Sequence, residues 1–304
     1  MKATSAIDTN NAHAARVIKA MSNLFAVDTD SGVLTCPARK KLKGEAGIIA
    51  GDFVRLEQEG GAYVVSEILP RKNSLIRPLV ANIDRLVAVA ALIPKPDFFL
   101  IDKLIINANR QDIDIVLCLN KSDLSTELYA ELCAQYGEIV DKIIITSAAD
   151  GEVSELKSVL SNKLSCLAGQ SAVGKSSLIN ALIGKPVQKT DVISEKAERG
   201  KNTTTRAEIL KLAQNSYIID TPGFSMLDIH GVLPEELALY YPEYVEVLPD
   251  CRYRGCTHTA EPGCRVRELA SEGGLSRSRY ERYCAMFSEL NAVGARRSAP
   301  GRKT

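Results

Sequence analysis

The chain has 304 residues, 45% hydrophobic and 25% charged, with 38 Lys and Arg against 37 Asp and Glu. This excludes a disordered or collagen-like polymer, and the length is long for a single core, so two or three domains are expected. No apolar run approaches the roughly 20 residues of a membrane span, and Met1–Asn10 lacks the basic and apolar regions of a secretory signal, so a soluble, cytosolic chain without a membrane partner is expected.

The near-neutral total hides a split. Residues 1–80 hold 11 basic and 8 acidic residues, residues 81–250 hold 16 and 24, and residues 251–304 hold 11 and 5. An acidic middle between basic ends fits separate domains with separate partners, although a solvated basic tail would look the same.

In chain order, Ala15–Lys19, Leu24–Val27, Gly32–Cys36, Asp52–Leu56 and Ala62–Ile68 read as short strands punctuated by glycines and charged turns. Five strands without a convincing helix predict a small OB-like barrel over 1–80. Its basic run Arg39-Lys40-Lys41-Leu42-Lys43 is either a phosphate contact or a solvated loop.

From Arg85 the pattern changes. Arg85–Leu92, Asp114–Leu119, Lys142–Thr146 and Leu164–Ala168 predict strands, alternating with helices at Phe98–Asn109, Leu128–Tyr136, Val153–Leu160 and Lys175–Ile183. Gly184 and Pro186 stop the last helix, and Glu208–Leu212 and Ser216–Asp220 are further strands. The alternation predicts an α/β core over 81–240 with a mostly parallel sheet and ligands at the carboxyl ends of its strands.

Gly169-Gln170-Ser171-Ala172-Val173-Gly174-Lys175-Ser176, followed by Ser177, fits the phosphate-loop pattern between a strand and a helix. Its backbone N–H groups would curl around phosphate, Lys175 would reach the β and γ phosphates, and Ser176 would ligate Mg²⁺. Asp220-Thr221-Pro222-Gly223 ends a strand; alone it is a good turn, but behind a phosphate loop Asp220 would support the Mg²⁺ shell and Gly223 would sense the γ-phosphate. Asn120-Lys121-Ser122-Asp123 could be a helix-capping turn by itself. With the other motifs it reads as a guanine clamp: the Asp123 carboxylate accepts from N1–H and the 2-amino group, Lys121 covers the base and Asn120 braces the loops. Ser147-Ala148 would aim a backbone N–H at guanine O6.

These motifs occur in a rotated order, with the base-reading loop ahead of the phosphate loop. Together with Leu69–Asn73, Ile76-Arg77-Pro78, Ala81–Asp84 and Asp250-Cys251-Arg252-Tyr253, the chain closely resembles the ribosome small-subunit-dependent GTPase A family over nearly its whole length. The resemblance implies a circularly permuted P-loop GTPase core, GTP or GDP with Mg²⁺ as ligands, binding to the small ribosomal subunit and its rRNA, and hydrolysis faster on the subunit. Late subunit maturation is the implied role, with other assembly factors as further partners and a monomeric state expected.

Two positions bear on catalysis. Phe224 stands where many GTPases place a water-orienting Gln. Within Arg199–Thr205, Thr205 is the expected Mg²⁺ ligand, with Thr204 next. Members resembling this chain usually carry His before the threonines, whereas here Asn202 stands; it can orient water but takes no proton near neutrality. Slow intrinsic turnover with a weak dependence on protonation near neutrality is therefore expected, with Lys175, Thr205 and Asn202 as the catalytic set.

Cys36, Cys118, Cys133 and Cys166 are isolated and read as inert thiols, whereas Cys251, Cys256, His258 and Cys264 fall within fourteen residues. Three thiolates and an imidazole suit one closed structural Zn²⁺, in a mostly helical domain over 241–304; a cluster of buried free thiols is the alternative. Around it lie Arg252, Arg254, Arg265, Arg267, Arg277, Arg279 and Arg282 with Tyr253, Tyr280 and Tyr283, read as a phosphate-gripping and base-stacking face. The tail Ala295–Thr304 reads as disordered until bound. A GTP-gated RNA-binding adaptor with incidental hydrolysis remains the competing reading.

Overall fold

The computed structural model describes residues 14–21, 23–42, 47–76, 79–184, 207–220, 229 and 231–298. Lys43, Arg77, Pro78, the whole of 185–206 with Asn202, Thr204 and Thr205, residues 221–228 with Gly223 and Phe224, and the end of the tail lie outside these residues.

The strands are β1 (Ala14–Ala20), β2 (Leu24–Thr29), β3 (Gly32–Pro37), β4 (Phe53–Glu59), β5 (Ala62–Ile68), β6 (Ser74–Ile76), β7 (Leu79–Ala81), β8 (Arg85–Ala90), β9 (Asp114–Leu119), β10 (Lys142–Ile145), β11 (Leu164–Ala168), β12 (Glu208–Ala213) and β13 (Ser216–Asp220). The helices are α1 (Phe98–Arg110), α2 (Glu127–Tyr136), α3 (Ser154–Leu160), α4 (Lys175–Ile183), α5 (Pro242–Val245), α6 (Arg265–Glu272) and α7 (Arg277–Ser298), with a 3-10 stretch at Pro234–Tyr240. Among the described residues no helix is long and apolar enough to cross a membrane.

The chain divides into two compact units. The first comprises Met1–Val87, Val153–Ala168 and Lys175–Phe224; the second comprises Ala88–Glu152, Gly169–Gly174 and Ser225–Thr304.

In the first unit, β1 pairs antiparallel with both β2 and β4, β2 with β3 and β4 with β5, and a parallel bridge from Ala38 to Val65 brings the ends of the ribbon together. Alternating side chains place Val17, Val27, Val54 and Val65 in a fully buried core. The β4–β5 turn is Gly60-Gly61 with φ of 58° and 82°, a conformation that two-residue hairpins require and that glycine adopts freely. β11 and β13 run parallel, but β12 pairs antiparallel with β13 and, through Lys19 and Glu208, with β1. The expected parallel core thus carries one antiparallel strand, β12, because the β12–β13 connection is a tight turn at Gln214-Asn215 rather than a helical crossover.

The β6–β7 hairpin has no strong sequence signal. Its flanks are held by side-chain amides: Asn73 exchanges two hydrogen bonds with the Ile83 backbone at 2.8 and 2.9 Å, and Asn82 accepts from Lys72 N–H and donates to the Gly51 carbonyl. The Asn73 and Asn82 signatures that carried the family resemblance are thus brackets of the chain exit from the barrel.

In the second unit, β9 lies between β8 and β10 and pairs parallel with β10. The apolar runs of β8 and β9 are buried almost throughout, as two-faced strands must be. Helix α1 starts at Asp97, whose carboxylate accepts from Leu100 N–H at 2.9 Å. Ile106 of α1 shares a core with Leu237, Tyr241, Tyr244, Val266, Tyr283 and Met286.

Candidate functional site

Three loops of the second unit meet at the carboxyl ends of β8, β9 and β10. Asn120 follows β9 and is 1% exposed. Its N–H donates to Ala90 O of β8 at 2.8 Å, and its Nδ2 donates to Val173 O of the phosphate loop at 2.9 Å. Its Oδ1 accepts from Thr146 Oγ1 at 3.2 Å and, more weakly, from Ala148 N–H at 3.3 Å. One buried amide thus ties all three loops together, and every polar atom of the Asn120 side chain is used.

The glycines are where the backbone needs them. Gly169 has φ of 141°, and a Cβ there would stand 2.2 Å from Val89 O; Gly174 has φ of 96°, and its Cβ would stand 2.3 Å from Asn120 Nδ2. The phosphate loop is packed against both neighbouring strand ends, and only a residue without a side chain fits.

Lys121, with φ of 63°, lays its stem by Gly174 and donates from Nζ to Ile93 O at 2.9 Å. Asp123 is exposed, and its Oδ1 accepts from Ser147 Oγ at 2.7 Å; the same hydroxyl lies 2.9 Å from Asp150 Oδ2. One hydroxyl proton cannot serve both carboxylates, so Asp123 and Asp150 compete for it. The Ser147 N–H is taken up by Glu152 O, which leaves Ala148 N–H as the backbone donor nearer the base-reading loop.

Ser171 and Ala172 of the loop and Ser176 and Ser177 of α4 are exposed, and Gln170 and Lys175 are partly buried. Burial pulls the Lys175 pKa below the ordinary lysine value, with Cys166 partly opposing it. Such an ammonium gains from an anion that replaces its lost water. Asp220 closes β13, and Thr221, Pro222 and Gly223 of its motif lie outside the described residues.

The cysteine cluster belongs to the second unit as well. The ligand atoms of Cys251, Cys256, His258 and Cys264 all lie within 4.8 Å of one another. His258 Nδ1 is 3.6 Å from Cys251 Sγ and 3.5 Å from Cys264 Sγ. A tetrahedral zinc with ordinary Zn–S and Zn–N lengths has an S···N edge of about 3.6 Å, so these donors fit that ion. Without a cation, burial pushes the Cys256 thiol up to about 12 and holds His258 below its usual range. A divalent ion reverses the thiol preference by binding the thiolate.

Glu261 organises the same turn. Its carboxylate accepts from Thr257 N–H at 2.7 Å, Thr257 Oγ1 at 2.6 Å, and the N–H groups of Thr259 and Ala260, both at 3.2 Å. Burial would raise its pKa, but these hydrogen bonds win and bring it to about 2.

Part of the basic face expected around this cluster is not a face. Arg279 is 1% exposed, and it donates to Asp102 Oδ1 and, at 2.5 Å, to Glu243 Oε1. Its guanidinium lies over the Tyr136 and Tyr241 rings at 5.2 and 4.7 Å. Arg282 donates to Asp102 Oδ2, to Gln135 and to the Tyr136 hydroxyl. Tyr283 is buried, and the Tyr283 and Tyr280 hydroxyls donate to the Thr257 and His258 carbonyls. These four residues dock α7 and the turn of the cysteine cluster, with Arg279 and Tyr283 buried and Arg282 and Tyr280 partly so. The spacing held a clue: 279, 283 and 286 fall at helical i, i+4, i+7 and share the buried stripe. Arg252, Tyr253, Arg254 and Arg277 are exposed, as expected.

A family model described as RsgA GTPase matches residues 68–230, more than half of the chain. The chain belongs to the RsgA GTPase family. A protein of Caldanaerobacter subterraneus subsp. tengcongensis named small ribosomal subunit biogenesis GTPase RsgA is 40% identical over 289 residues, spanning 93% of this chain and 97% of that one. A Moorella thermoacetica protein of the same name is 37% identical over 280 residues, spanning 91% and 97%. The crystal structure of YjeQ from Thermotoga maritima is similar with a TM-score of 0.78 and 34% identity, over 91% of this chain and 98% of that chain. YloQ, a circularly permuted GTPase, gives 0.76 and 26% identity over 95% and 99%. The fold of this family member is that of a circularly permuted GTPase, as the order of its motifs implied.

Proposed function

We propose that this chain is a GTP hydrolase that binds the small ribosomal subunit and its rRNA, assists the subunit's late maturation in the cytosol, and turns over faster when bound there. The observation that carries the site is the Asn120 amide bridge to Val173, which holds the base-reading and phosphate loops in one unit at 2.9 Å.

Guanine is read by Asp123, whose carboxylate Ser147 orients; adenine presents an acceptor in place of N1–H and leaves that carboxylate unpaired, at a cost of about 1–3 kcal/mol or more. The Lys121 stem covers the base, and Ala148 N–H turns from its long bond with Asn120 towards O6. The N–H groups of Gly169–Gly174 cradle the phosphates, and Lys175 neutralises charge that builds on the β and γ oxygens. Ser176 and Thr205 would hold Mg²⁺, with Asp220 supporting its shell, and the ion would supply further charge neutralisation. Asn202 orients the attacking water. Cys251, Cys256, His258 and Cys264 would hold one structural Zn²⁺, since four protein ligands would leave no place for water. Exposed Arg252 and Arg254 meet rRNA phosphates, and Tyr253 stacks on an unpaired base. The barrel over 1–80, the GTPase core over 81–240 and the metal domain over 241–304 act as a monomer, with other assembly factors among its partners.

Turnover of GTP should rise on addition of purified small subunits and vanish in Lys175→Ala, with ATP failing to compete. Equal use of ATP, or native turnover in the variant, would overturn the reading; subunit binding without any turnover would favour the adaptor.

A further inference from the structure

The segment Ile93-Pro94-Lys95-Pro96-Asp97 joins β8 to α1 and belongs to none of the nucleotide motifs. It is irregular, and Ile93, Lys95 and Asp97 are exposed. Two prolines in five residues restrict its backbone before any tertiary contact forms. Both nucleotide loops grip it. Lys121 of the base-reading loop donates from Nζ to Ile93 O at 2.9 Å. Gln170 of the phosphate loop uses both ends of its amide: Nε2 donates to Lys95 O at 2.9 Å, and Oε1 accepts from Asp97 N–H at 2.8 Å. A donor facing a carbonyl and an acceptor facing an N–H fix the amide orientation without ambiguity.

We infer that Gln170 is a positioning residue for the nucleotide and that Ile93–Asp97 is the strap through which it acts, holding the phosphate loop and the Lys121 stem in register. This rests on the nucleotide reading above. The Gln170 side chain is committed to the strap, so within its own motif it contributes to phosphate binding through the backbone alone. The ammonium of Lys121 is committed to the strap as well, and its Cε passes 4.0 Å from the Cβ position of Gly174, so the stem is drawn across the phosphate loop. The strap is thus ordered before nucleotide arrives, and its ordering cost falls on folding and not on binding. Loss of the Gln170 contacts moves that cost to the binding step. The effect is uniform for ground and transition states, so affinity suffers and the chemical step does not.

The test uses the full chain loaded with its metals and measures release of fluorescent GDP and of a fluorescent nonhydrolysable GTP analogue after mixing with excess unlabelled nucleotide. Gln170→Leu keeps the volume and removes both hydrogen bonds. Release of both nucleotides should quicken about tenfold, and KM for GTP should rise by a larger factor than kcat changes; two bonds of ordinary net strength set a ceiling near thirtyfold. A change in release below about fivefold, or a fall in kcat with release unchanged, would overturn the inference. A lower melting midpoint with native release rates would mark Gln170 as merely structural and also overturn it. If the leucine variant loses its cooperative melt, Gln170→Glu keeps the acceptor for Asp97 N–H, loses the donor for Lys95 O, and is judged by the same criterion. Failure of the native chain to hold either nucleotide would instead remove the site reading, and the inference with it.

Discussion

Ala172 shows how much a single backbone angle matters in the phosphate loop. It sits at φ of 64°, where Cβ crowds the following carbonyl, a conformation that costs an L-residue about 1–2 kcal/mol. Its methyl is exposed, so packing offers little in return. Ala172→Gly relieves the crowding but adds freedom to the unfolded chain, which takes back about 0.4–1 kcal/mol. The variant should therefore be more stable by up to about 1 kcal/mol in urea unfolding. A clear loss of stability would mean that the methyl has a packing role. The glycines at 169 and 174 are different, since a Cβ at either would collide with Val89 O or Asn120 Nδ2.

Among the elements, α1 and α7 form the best-defined polar junction of the second unit. Asp102 of α1 is fully buried and bound by Arg279, Arg282 and the Tyr136 hydroxyl. Burial by itself would favour loss of the Arg279 charge, but Asp102 and Glu243 more than offset this and raise its pKa. Burial and the Asp102 charge likewise push the Tyr136 phenol upward, so it stays protonated as a donor. Removing the shared carboxylate takes a buried partner from both guanidinium groups and leaves Glu243 to Arg279 alone. Asp102→Ala should cost about 3–5 kcal/mol in urea unfolding, several times what an exposed ion pair such as Arg277–Glu281 contributes. A loss under about 1 kcal/mol would show that water reaches the cluster.

At the scale of the whole molecule, the charge split seen along the chain has two physical origins. Arg252 and Arg254 beside the cysteine cluster are exposed, while Arg279 and Arg282 are neutralised internally by Asp102 and Glu243. The core beneath that turn is built from Tyr241, Tyr244 and Tyr283, with ring centroids 4.9 to 5.3 Å apart, and the Tyr283 hydroxyl reaches the metal turn at Thr257 O. The chain has no Trp and ten Tyr, so near-ultraviolet circular dichroism reports chiefly on tyrosine packing, with these three among the contributors. One equivalent of zinc should be found in purified protein, and its removal by a chelator should weaken that tyrosine band. A band unchanged by complete removal would show that the turn holds itself without the ion.

What the residues by themselves determined was whatever is local or chemically exclusive. The phosphate-loop pattern has its glycines at set spacing between a strand and a helix, the residues read as a guanine clamp follow a strand end, and the cysteines and histidine of the cluster fall within fourteen residues. These patterns survive rotation of the motif order, because a site assembled in space is indifferent to where the chain begins. Tertiary structure decided what depends on distant partners. It buried Arg279 against Asp102, 177 positions away, turning an expected RNA contact into a docking pin. It set β12 antiparallel against β1, and it placed the Gln170 amide on a strap more than seventy residues upstream. An arginine or glutamine side chain bonds whatever complementary group folding brings within about 3 Å. Its composition names the bond it can make, and only the packed chain supplies the partner.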